Sequence, residues 1–215
     1  MGSVFIAIAA VCDMLDGFAA RALRVFSPIG KDLDSLADVV SFGVAPSMIL
    51  FKMLWDASME QMNALDISIL GMAPAFLIAC FSALRLAKFN ITSDSQKHYF
   101  MGMPTPAVGM FVGALPIILW KGHLRLPGFI HDHYKWTIYL FIGLLCWFMV
   151  SNIKFFKMIP PKMSLSYSWP QLLLVVLTVA SIPFLGFASI LVAFLLYVLL
   201  SLVYKYPAEE GTVQQ

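Results

Sequence analysis

Apolar residues fill this chain in long blocks, without the strict alternation of a half-buried strand or the one-sided stripe of a soluble surface helix. A helix needs roughly 20 apolar residues to cross a hydrocarbon core about 30 Å thick. Seven blocks approach that length, at 2–24, 33–55, 67–89, 104–121, 134–152, 166–183 and 185–203. Residues 166–203 as one helix would measure about 57 Å at about 1.5 Å per residue, far more than one crossing needs. Pro183 and Gly186 supply a break, which predicts a tight helical hairpin. The pattern predicts an all-α fold, a polytopic transmembrane bundle of about seven membrane helices. Residues 1–206 form a single integral-membrane domain in this reading, and 207–215 a short polar cytoplasmic tail.

Composition agrees. Of 215 residues, 60% are hydrophobic and 12% charged, against roughly 45–50% and about 25% in a typical globular chain. That leaves too little polar surface for a soluble domain and too much apolar surface for a disordered one. A net charge of +2, with no basic patch outside short loops, gives no nucleic-acid footprint. Cys12, Cys80 and Cys146 all sit in apolar runs, so buried thiols are expected and not a disulfide framework.

Loop charges set the orientation. One side collects Arg21, Arg24, Lys31, Arg85, Lys88, Lys97, Lys154, Lys157, Lys162 and Lys205; the other keeps Lys52, Lys121, Arg125 and Lys135. The positive-inside rule puts the first group, and the C-terminus, in the cytoplasm. Residue 1 then faces outward. It stands directly in an apolar run without a basic leader, and a further helix is expected to precede it. His131-Asp132-His133 falls in an outward loop and reads as a solvated segment.

Five of the 12 acidic residues, Asp13, Asp16, Asp32, Asp34 and Asp38, lie in or beside the first two spans. Ionisable groups in a span are costly and point to function. Asp13, Asp16, Gly17, Ala20 and Arg21 follow i, i+3, i+4, i+7 and i+8, one stripe of a helix. Gly30, Asp34, Asp38 and Ser41 make a similar stripe on the second helix. The short Ser27-Pro28 connection makes the two helices antiparallel neighbours whose stripes can face each other. Four converging carboxylates repel unless cations hold them together. Hard oxygen ligands suit Mg²⁺ or Mn²⁺, and four of them suit two ions. Gly17 and Ala20 leave room for a bulky ligand, and Arg21 offers a fork for phosphate. Asp32 lies off the Asp34/Asp38 face and reads as a helix-end charge.

The pattern Asp13-x2-Asp16-Gly17-x2-Ala20-Arg21-x8-Gly30-x3-Asp34-x3-Asp38 resembles the signature of the CDP-alcohol phosphotransferases. The resemblance implies a membrane enzyme that moves a phosphatidyl or similar group from a CDP-linked donor to an alcohol and releases CMP. It implies that Asp13, Asp16, Asp34 and Asp38 hold two metal ions, with Asp38 also the general base. It further implies that Gly17, Ala20, Arg21 and Gly30 meet the nucleotide and its phosphates. A homodimer is likewise implied by the resemblance alone.

Residues 30–47, 82–90 and 100–107 are similar to the phosphatidylserine synthase branch of that family, whose substrates are CDP-diacylglycerol and L-serine. A serine carboxylate needs a cation, and Arg85, with Lys88 and Asn90 close behind, stands level with the aspartates as the candidate acceptor site. Thr105, between Pro104 and Pro106, reads either as a substrate ligand or as a proline-set helix start. The alternatives are a sister enzyme using glycerol 3-phosphate or inositol, an archaeal-type lipid donor, and a cation carrier. A carrier would want polar residues through the whole bilayer depth, whereas here they gather at one end. The expected location is the inner or plasma membrane, with the active site facing the cytoplasm.

Overall fold

A computed structural model of the chain describes residues 1–23, 27–61, 69–92, 99–120, 133–156 and 165–203. Its elements in order are α1 (Gly2–Leu23), α2 (Pro28–Val39), a π-helical turn (Val40–Val44), α3 (Ala45–Gln61), a 3₁₀ segment (Ile69–Phe76), α4 (Leu77–Thr92), β1 (Tyr99–Met101), α5 (Thr105–Trp120), α6 (Tyr134–Val150), β2 (Lys154–Phe156), α7 (Leu165–Leu185), a 3₁₀ turn (Gly186–Ala188) and α8 (Ser189–Val203).

Among the described residues the fold is helical, as the apolar blocks predict, except for one short ribbon. Tyr99–Met101 and Lys154–Phe156 pair as an antiparallel ribbon, with Phe100 opposite Phe155. Strands this short lack the length over which a period of two can be read in a sequence. Gly102 closes the ribbon with φ +77°, and a Cβ there would collide with the Met149 carbonyl oxygen.

Four helical stretches have the length and hydropathy of a membrane span: Gly2–Ala20, Ile29–Met59, Leu70–Ile91 and Trp169–Val203. Thr105–Leu119 and Tyr134–Val150 are apolar but shorter. The last long stretch is divided at Gly186, whose φ is +52°. Leu174 of α7 and Tyr197 of α8 border one cavity although 23 residues apart in sequence, so the two helices fold back on each other at that turn. The second stretch begins earlier than position 33. Ser27 is extended (φ −128°, ψ 133°) and Pro28 opens the helix, where a missing N–H costs nothing. Its 31 residues measure about 46 Å at about 1.5 Å per residue, so one end projects from the hydrocarbon.

The core is built from α3, α4, α5, α6 and α8, with Leu50, Leu54, Ile78, Val112, Ile142 and Leu145 among its buried members. Close approach depends on small residues. Gly109 of α5 lies against Phe42, and Gly113, one turn on, lies against Ile6 of α1. That spacing is the small-xxx-small pattern of packed membrane helices. The main partner of α1 is α5, and α1 meets the α2–α3 rod at the π turn. At the 3₁₀ segment, Pro74 has no N–H for the Gly71 carbonyl. The Tyr139 hydroxyl of α6 donates to that carbonyl instead.

The expectation of three buried thiols needs correction. Cys146 is buried, whereas Cys12 and Cys80 lie exposed on helix surfaces; all three are free. An apolar block says that a residue can sit in lipid, not which face of the helix turns inward.

Candidate active site

Asp13 and Asp16 of α1 and Asp34 of α2 bring one carboxylate oxygen each to within 4.8 Å of one another. Their spacing explains how. Residues three apart in α1 lie on one face, and α2 supplies its acid from across the connection. Asp13 is half-buried, and the other two are exposed. Three hard oxygen donors from two helices fit a divalent cation such as Mg²⁺ or Mn²⁺. Asp38 is not one of these three. It follows Asp34 by one helical turn, is half-buried, and couples electrostatically to Asp13, Asp34, Arg85 and Asp16.

The helix changes character two residues beyond Asp38. In the π turn Val40–Val44, Ala45 N–H bonds back to the Val40 carbonyl, a span of five residues. Such wide turns recur at functional sites. Two small contacts lock this turn against α4. Ser47 donates to the Gly43 carbonyl at 2.8 Å and accepts the Ala79 N–H at 3.2 Å. A Cβ on Gly43 would lie 3.0 Å from Ser82 Cβ.

The nucleotide candidates are laid out less tightly. Gly17 is half-buried and Ala20 exposed. At Gly30 an added Cβ would meet only Ser27 Cβ, at 3.6 Å, so the backbone there is open to approach. The Arg21 side chain lies outside the described residues, as do Arg24 and the segment 131–132.

Arg85 is the charged side chain among the buried residues described, 6% exposed. Its Nη1 donates to Thr105 Oγ1 at 3.0 Å. Its guanidinium lies 5.7 Å from the centre of the Phe89 ring, and it couples electrostatically to Tyr197 and Asp38. Buried charge needs such company. Lys88 and Asn90 are engaged differently. Lys88 donates to Asn152 Oδ1 at 3.2 Å. Asn90 Nδ2 donates to Ser35 Oγ at 2.9 Å, and the Asn90 carbonyl accepts from Lys31 Nζ at 3.4 Å. That carbonyl is in the last turn of α4, where helical acceptors lack partners. These ties bring the end of α4, the start of α2 and the loop at 152 to one end of the bundle, beside Asp34. Ser35, Phe89 and Tyr197 were not singled out by spacing, because their roles depend on segments far away in sequence.

An apolar cavity of about 420 Å³ lies between α1, α5 and α8, bordered by Ile6, Met110, Gly113, Ile117, Phe194 and Tyr197. Ala107 also borders it, two residues beyond Thr105.

An acidic cluster, a buried arginine and an apolar cavity are thus gathered in one helical bundle. The CDP-alcohol phosphatidyltransferase family matches residues 1–206, and the chain belongs to that family. The CDP-diacylglycerol–serine O-phosphatidyltransferase of Helicobacter pylori is 36% identical over 146 residues, 67% of this chain and 56% of that protein. The protein of the same name from Bacillus subtilis is 38% identical over 107 residues, 50% of this chain and 55% of its own. The Saccharomyces cerevisiae one is 34% identical over 143 residues, 63% of this chain and 46% of its own. The chain thus spans about half the length of the curated relatives it matches.

Proposed function

We propose that this protein transfers the phosphatidyl group of CDP-diacylglycerol to the hydroxyl of L-serine, giving phosphatidylserine and CMP. The observation that carries the reading is the closing of Asp13, Asp16 and Asp34 within 4.8 Å, with Asp38 and Arg85 coupled beside them. The names of the relatives support serine as the acceptor.

Asp13, Asp16, Asp34 and Asp38 are the residues that would hold two Mg²⁺ or Mn²⁺ ions. Bound there, the ions supply charge neutralisation on the phosphate oxygens. Gly17, Ala20, Arg21 and Gly30 receive the cytidine nucleotide and its phosphates. Arg85 holds the serine carboxylate with the hydroxyl toward Asp38, and Lys88 and Asn90 fix the helix end behind it. The serine Oγ attacks the phosphorus that carries the diacylglycerol. Its bond to phosphorus forms as the bond from phosphorus to the CMP oxygen breaks. The Oγ proton passes to Asp38, and CMP leaves. Positioning and charge stabilisation of this kind supply most of the catalysis in phosphoryl transfer.

A donor acyl chain fits the apolar cavity between α1, α5 and α8. Seven crossings follow when the last long stretch is counted as a hairpin and the two shorter helices are included. The domain is 1–206, with the tail 207–215 and the active site on the cytoplasmic side of the inner or plasma membrane, and a homodimer is the working assembly. The test is CMP release by purified protein given CDP-diacylglycerol, Mg²⁺ or Mn²⁺, and serine, glycerol 3-phosphate or inositol in turn. CMP release with serine is the expected result. Release with glycerol 3-phosphate or inositol instead would move the protein to a sister branch.

A further inference from the structure

The bond from Arg85 to Thr105 has a consequence beyond the proposed reading and rests on it. Thr105 is the first residue of α5 and is fully buried. The cap position ahead of α5 is Pro104, so Thr105 stands inside the first turn and its hydroxyl is not the helix cap. Pro106 has no N–H, and the N–H groups of Ala107 and Val108 go to the Pro104 carbonyl, at 3.1 and 3.3 Å. The Thr105 hydroxyl is turned away from the helix backbone's needs and accepts Arg85 Nη1 at 3.0 Å from 20 residues away.

A guanidinium is planar, and its N–H groups keep a fixed fork geometry. Holding one edge on Thr105, with the Phe89 ring 5.7 Å away, fixes the direction of the whole fork. We infer that Thr105 is the positioning residue for Arg85: its hydroxyl aims the guanidinium at the acceptor's carboxylate and so sets the affinity for serine. Pro104 and Pro106 on either side of Thr105 hold the backbone of this helix start in a fixed φ.

The test compares Thr105→Val, which keeps the shape and loses the acceptor, with Thr105→Ser, which keeps the acceptor. Purified full chain is assayed for CMP release over a range of serine and, separately, of CDP-diacylglycerol. Thr105→Val should raise the KM for serine about tenfold, the scale of one hydrogen bond to a charged group. The donor KM should stay near wild type, and Thr105→Ser should recover most of the loss. A wild-type serine KM in Thr105→Val would overturn the inference, as would an equal rise in both KM values. Thr105→Ala serves as the second variant where the valine protein is poorly folded, with the same expectation. In an Arg85→Lys background, which lacks the fork, Thr105→Val should add much less than tenfold; a full additional tenfold would place Thr105 in a role independent of Arg85. A wild-type protein that releases no CMP with serine overturns the serine reading itself and this inference with it. That outcome is distinct from an active wild type matched by an equally active variant.

Discussion

Phe42 occupies the space that a side chain at position 109 would need: a Cβ on Gly109 would lie 2.7 Å from Phe42 Cβ and 2.8 Å from Phe42 Cα. The contact joins α5 to the π turn that follows Asp38. Part of it is backbone, so no rotamer change relieves it. Gly109→Ala should therefore destabilise the protein by about 1–3 kcal/mol, the usual cost of overpacking. Thermal unfolding in detergent measures it. Gly143 is the control. Nothing lies within 4 Å of a Cβ there, and Gly143→Ala should be neutral or slightly stabilising. Equal losses at the two positions would dismiss the close approach as a source of stability.

Asp13→Asn, Asp34→Asn and Asp38→Asn should each reduce turnover by at least ~10²-fold, the scale of losing a positioned base or charge stabiliser. The three should differ in metal response. Asp13 and Asp34 belong to the close carboxylate group, so raising Mg²⁺ or Mn²⁺ should recover part of their activity. Asp38 stands outside it and should recover less. Near-normal turnover in Asp38→Asn would remove it as the base.

Removing divalent ions with a chelator should abolish CMP release, and adding back Mg²⁺ or Mn²⁺ should restore it. Three carboxylate oxygens within 4.8 Å form a site of hard donors. Full activity in excess chelator would show that the cluster works without an ion.

Arg85→Ala should weaken serine use by about 10- to 150-fold, since a charge-assisted bond contributes roughly 1.5–3 kcal/mol. Arg85→Lys should be intermediate, because it keeps the charge and loses the fork. Kinetics with serine and donor varied separately decide the point. A change confined to the donor KM would assign Arg85 to the phosphate site.

Single cysteines at His133 and Lys154, in a background without the three native ones, should report opposite sides of the membrane. The Lys/Arg distribution puts position 133 outside and 154 inside. An impermeant thiol reagent applied to intact cells should label 133 alone. Labelling of 154 alone would invert the orientation and move the active site out of the cytoplasm.

The sequence alone determined what depends on neighbours along the chain. Apolar blocks marked the helices, Gly186 marked the turn while Pro183 lies inside the helix before it, and Asp13, Asp16, Asp34 and Asp38 fell into helical register because the period of a helix is local. Tertiary structure decided what depends on distant segments. It placed three of the four aspartates in one close group and left Asp38 outside it. It gave Lys88 to Asn152 and Asn90 to Ser35, partners 64 and 55 residues away that no spacing rule relates. It turned Cys12 and Cys80 to the helix surface, since in a membrane an apolar residue is equally at home facing lipid or core. For Thr105 the sequence left two roles open. The fold set Arg85 beside its hydroxyl, because a buried guanidinium needs a hydrogen-bond acceptor.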